Sequence, residues 1–149
     1  MQNLKALNSK EKKVIYKQLK EQFGHDEKID AIMLMSPKGK IYLLSNDYAN
    51  LDITNLRINN KAMYFAKQEK DGLRMSIEGS QFITATKNVY EVNKQEAFDW
   101  MQGKDVPKEG ENSYALLKYK NDILGCGMLR ENNIRNMVAK ERRLHSVKE

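Results

Sequence analysis

A single cysteine among 149 residues excludes an intramolecular disulfide, so the fold must rest on apolar packing. Only two histidines are present, His25 and His145. With Cys126 they give neither CxxC nor HxxxH spacing, so neither structural nor catalytic zinc is expected. No apolar run approaches the roughly 20 residues needed to cross a bilayer. The N-terminal MQNLKALNSKEKK lacks the unbroken apolar core of a secretory signal. A cytoplasmic location is therefore expected, with no membrane partner. No repeat of 20–50 residues and no low-complexity segment occurs.

What is present is a folded composition, 40% hydrophobic with 31% charged residues, in a length that fits one domain or two small ones sharing a core. The net charge of +6 points toward an anionic partner such as RNA. A lysine-rich proteome with solvated lysines gives the same total. Position is more informative. From Lys118 to Glu149 there are eight Lys or Arg against four Asp or Glu, so most of the excess lies in the last fifth of the chain.

The local patterns predict an α+β fold. Residues 8–23 read as a helix with a capping box of Asn8 and Glu11, a stop at Gly24 and a buried stripe of Ile15, Leu19 and Phe23. Lys10, Lys13, Lys17 and Lys20 lie opposite, better explained as a solvated face than as a phosphate stripe. AIMLM and KIYLLS around Ser36-Pro37-Lys38-Gly39 predict a hairpin. Residues 46–58 read as a helical turn followed by a strand. AMYFAK and LRMSI around an Asp-Gly turn predict a second hairpin, with Glu78-Gly79-Ser80-Gln81 breaking the strand that follows. A second unit begins near Lys87 with the strand NVYEV. Asn93 and Glu96 open a helix, KQEAFDWMQ, that Gly103 ends and that packs through Phe98 and Met101, with Ala97 and Trp100 beside them. After the polar connector 104–112, SYALLKY and ILGCGML form a third hairpin, and a turn at Glu131-Asn132-Asn133 leads into IRNMVAKERRL.

Chemistry is sparse in this pattern. A phosphate loop needs its glycines between a strand and a helix, whereas Gly125 and Gly127 fall inside a strand, with neither GxGxxG nor GK[ST]. There they mark a bulge, a bend or a close backbone approach. Cys126 has no base joined to it in sequence and reads as a small buried residue rather than a nucleophile. Carboxylates such as Glu69, Asp71, Asp99 and Asp105 sit on helix and turn positions. The C-terminal run makes the strongest case. Arg135, Lys140, Arg142 and Arg143 suit RNA phosphates, and Lys118 and Arg130 stand nearby as secondary candidates. Asn132, Asn133 and Asn136 offer neutral donors and acceptors, and Tyr114 or Tyr119 a stacking face.

The helix ending in WMQGKD, a strand, and LGCGMLRENNIRNMVAKERRL together resemble the PUA-like domain at the C-terminus of NOL/NOP/Sun-type RNA cytosine-C5 methyltransferases. That family shows a Gly-x-Gly strand, a short turn, a Lys-Asn pair, then Pro-Lys and a final Arg. Gly125 and Gly127 match the glycines, Arg135-Asn136 the Lys-Asn pair, and Lys140 with Arg142 or Arg143 the basic end. Ala139 replaces the usual proline. The likeness covers about residues 87–144. The N-terminal part, with LRMSIEGSQFI, resembles the pre-PUA domain of small archaeal ribosome-biogenesis proteins.

The resemblance implies a pre-PUA-like α/β unit at 1–85 and a PUA-like pseudo-β-barrel at 86–149. It also implies binding of ribosomal or transfer RNA. It does not extend to methyl transfer, because the cofactor-binding domain and catalytic cysteine motif lie outside it, and no strand–Gly-loop–helix unit is available for a nucleoside cofactor. No cofactor is expected. The resulting expectation is a non-catalytic RNA-binding protein in ribosome biogenesis or rRNA/tRNA modification. The other reading is an adaptor that docks an RNA methyltransferase or a ribosome-assembly protein.

Overall fold

The computed structural model describes residues 3–49 and 61–144. The chain builds two five-stranded sheets. The first comprises β1 (Lys5–Ala6), β2 (Ile32–Met35), β3 (Lys40–Leu44), β4 (Met63–Glu69) and β5 (Gly72–Met75), antiparallel in sequence order. Helix α1 (Ser9–Phe23) carries the expected capping box and buries Ile15, Leu19 and Phe23. Residues 46–48 form the expected helical turn; the strand expected after it lies outside the described residues.

The second sheet runs β6 (Val89–Glu91), β8 (Ser113–Tyr119), β9 (Asp122–Arg130), β10 (Asn133–Arg135) and β7 (Val106–Pro107), in that spatial order. Only β6–β8 is parallel among its pairings. Its mixed, curled strands fit the expected pseudo-barrel and α+β class. Strands β8 and β9 are buried on both faces, which is why they read as nearly continuous apolar runs. Tyr114, Leu116, Cys126 and Met128 join the core that holds Phe23, Met33 and Phe65, while Ala115, Leu117 and Leu129 join Trp100, Val106 and Ile134. One sheet thus serves two cores.

Three local expectations are corrected. The strand-breaking 78–81 run belongs to a short helix, α2 (Ile77–Phe82). Ser76 caps it, accepting from the Gly79 N–H at 2.8 Å while its hydroxyl reaches the Tyr64 carbonyl at 2.6 Å. Gly79 is there for proximity, since a Cβ would lie 1.9 Å from the Phe65 carbonyl oxygen. Helix α3 (Lys94–Met101) buries Ala97 and Trp100, whereas Met101 stays 41% exposed. The Phe98–Met101 spacing therefore marks the wrong stripe, as the helix turns its indole inward. The connector 104–112 contains β7, which pairs with β10.

The two strand glycines have separate causes. The β8–β9 register shifts between Leu117 and Lys118, and opposite this bulge Gly125 adopts φ 149°, where a side chain would be strained. At Gly127 a Cβ would meet the Arg135 carbonyl oxygen and the Trp100 ring at 2.6 Å each, and Ile134 at 2.7 Å. Gly127→Ala should therefore destabilise the protein by about 1–3 kcal/mol through overpacking. Urea unfolding followed by Trp100 fluorescence measures this, and an unshifted midpoint would contradict the close approach.

Candidate nucleic-acid interface

After β10 the chain crosses the end of α3, and Asn136 sets its path. The Asn136 amide donates to the carbonyls of Trp100 at 2.7 Å and Lys104 at 2.9 Å, and its oxygen accepts from the Val138 N–H at 2.8 Å. Its backbone N–H reaches Asp105 at 2.8 Å. With its side chain so engaged, Asn136 holds the segment and has little left for a base edge. Asn133 likewise donates to Asp105 at 3.1 Å. Ala139 takes φ −58°, within the range a proline ring imposes, so the departure from the family's Pro leaves the backbone shape intact. A short 3₁₀ turn, Lys140–Arg142, follows, and the Leu144 N–H donates to the Met101 carbonyl at 2.7 Å.

The six expected cationic residues divide into two groups. Arg130 pairs with Asp71 at 3.2 Å, and Arg142 with Glu78 of α2 at 2.7 Å. Arg143 lies in the space that Gly103 leaves and donates from Nε to the Val138 carbonyl at 3.0 Å. Among the described residues, Lys118, Arg135 and Lys140 form no ion pair; Arg135 and Lys140 are exposed and Lys118 half-buried. Burial alone would raise the Glu78 carboxyl, but its hydrogen bonds to Arg142 and to backbone, with the guanidinium charge, hold it below its usual value. The ion pair is therefore formed at neutral pH and lost as acid protonates Glu78.

The expected stacking faces also separate. Tyr114 is buried, and its hydroxyl donates to Asp71 at 2.7 Å. Burial first, and that carboxylate second, raise its phenol. It is not available to a base. Tyr119 is half-buried, with the Lys120 ammonium 5.4 Å from its ring centroid. Sequence reading missed Tyr64, on the first sheet. Its ring lies 5.6 Å from that of Tyr42, and Lys40 Nζ lies 5.4 Å from its centroid. The signal was legible in part, since Tyr42 stands between the buried Ile41 and Leu43 on β3, but its pairing with Tyr64 required the register.

Residues 87–144 match the family model described as the methyltransferase RsmF PUA domain. The C-terminal part is PUA-like. This match covers the segment on which the sequence likeness was drawn. Across more of the chain, the structure is similar to that of a conserved PUA domain protein from Thermoplasma acidophilum, with TM-score 0.60 and 13% identity over 85% of this chain and 79% of that one. At that identity the likeness concerns fold alone. No curated protein matches the chain.

The PUA-like part holds the lone cysteine at the junction of the sheets. Burial pushes the Cys126 thiol up to about 12, with backbone hydrogen bonds and Arg74 opposing. A thiolate is thus scarce at neutral pH. Among the described residues, no three His, Cys, Asp or Glu side chains gather for a metal, and no helix is long and apolar enough to cross a membrane. Cys126 should resist Ellman's reagent at pH 7 in the folded protein and react once urea unfolds it. A fast reaction in buffer alone would contradict its burial.

Proposed function

We propose that the chain is a non-catalytic RNA-binding protein whose PUA-like part contacts the RNA backbone. The observation that carries this reading is the pair of exposed, unpaired cations Arg135 and Lys140 on the segment that Asn136 fixes. Lys118 adds a third unpaired charge on β8. Arg130 and Arg142 contribute only by exchanging an exposed carboxylate for a phosphate, an exchange that costs little because surface ion pairs are weak. In this reading residues 1–85 form the supporting unit and 86–149 the RNA-binding unit. Ribosomal or transfer RNA is the target class, in ribosome biogenesis or RNA modification in the cytoplasm. The family's name supports an association with RNA methylation.

Arg135→Ala with Lys140→Ala should weaken RNA binding and reduce the log–log salt slope by about 0.7 per lost contact on single strands. Filter binding across a salt series measures this, with Lys13→Ala on the α1 stripe as the control. An unchanged slope would remove these residues from the site. A preparation free of nucleic acid that captures only a methyltransferase or ribosome-assembly protein would favour the adaptor reading instead.

A further inference from the structure

The first sheet and the C-terminal segment enclose a cleft of about 330 Å³ whose lining includes neither Arg135 nor Lys140. This is near the lower end of the roughly 300–1,000 Å³ typical of small-ligand sites, enough for a single nucleotide unit. Its lining includes Lys40, Tyr64 and Arg74, with Lys40 Nζ 5.4 Å from the Tyr64 ring centroid. Lys40 and Arg74 are half-buried and, among the described residues, form no ion pair. A cation withdrawn from water without a counter-ion favours an anion beside it. Arg74 stands beside the Tyr64 hydroxyl, and burial, with Arg74 opposing, raises that phenol, so it stays a protonated donor. The rest of the lining includes the apolar Met75, Ile77, Val138 and Met137, the last 36% exposed. Glu78 and Glu141 also line the cleft, but Arg142 holds Glu78 at 2.7 Å.

We propose that this cleft seats one nucleotide of a single-stranded RNA, with its phosphate between Lys40 and Arg74 and its base against Tyr64 and Met137. The proposal rests on the RNA-binding reading above and assigns a contribution to the N-terminal unit. A single strand is specified because a narrow cleft admits a splayed base, whereas a base stacked in a duplex cannot enter. Cations beside an aromatic face are the combination that holds phosphate and base together.

The test uses a fluorescent single-stranded RNA of about eight nucleotides. Its binding to the full chain is followed by anisotropy over a salt series. Lys40→Gln with Arg74→Gln removes the one phosphate contact, and should reduce the salt slope by about 0.7 on the single strand and leave binding of a blunt RNA duplex unchanged. In the wild-type protein, 4-thiouridine crosslinking should place the adduct on Tyr64 or Met137, a readout independent of how well the variant folds. If the Gln pair leaves the single-strand slope unaltered, or the adducts avoid both residues, the cleft is overturned while RNA binding through Arg135 and Lys140 stands. Failure of the wild-type protein to bind any RNA overturns both. Competition by UMP or AMP at the same concentration as the oligonucleotide would assign the cleft to a free nucleotide and overturn the RNA source.

Discussion

The missing side chain at Gly127 is the constraint on which the rest of the second unit depends. It lets the Trp100 ring, Ile134 and the Arg135 carbonyl converge within a space that a single methyl group would fill. That convergence seats α3 under the curled sheet and sets where β10 ends. From there Asn136 ties the chain to the Trp100 and Lys104 carbonyls. Arg135 and Lys140 follow as consequences of this anchoring. A basic segment that would otherwise be a solvated tail is held against the body of the protein. The entropy of ordering it is met by internal hydrogen bonds before any ligand arrives, so less remains to be lost on binding.

The charges are divided between structure and availability. Arg143 is built into the loop, and Arg130 and Arg142 bridge to Asp71, in the turn between β4 and β5, and to Glu78 of α2. Both bridges are about half exposed, so each is a modest tie that a phosphate can replace. The same contacts relate the C-terminal segment to the first sheet and α2, and β8 and β9 contribute to both cores. The cleft lined by Lys40, Arg74 and Arg142 exists because of that relation.

How much was legible depended on whether the signal was local. Both capping boxes, Asn8 with Glu11 and Asn93 with Glu96, are written in four residues and formed as read. The Gly-x-Gly strand was recognisable, and each glycine has one of the causes its pattern offered. Asn136 lay in the right motif, yet its chemistry is directed inward, because its partners Trp100 and Lys104 are remote in sequence. Helix α2 was hidden for the same reason. Gly79 looks like a breaker unless the Phe65 carbonyl above it is known. Tyr114 shares the alternation of an exposed aromatic but faces the core formed with the other sheet. Sequence periodicity indicates that a residue leaves one face, without indicating whether another layer covers that face.

The central claim is that RNA meets the anchored C-terminal segment and the adjoining cleft. Two-dimensional NMR of the labelled full chain, titrated with a single-stranded RNA, tests it most directly. Shifts should concentrate at residues 135–143 and at Lys40, Tyr64 and Arg74, with the α1 lysines unmoved. Shifts confined to Lys10, Lys13, Lys17 and Lys20, or none at all, would contradict it.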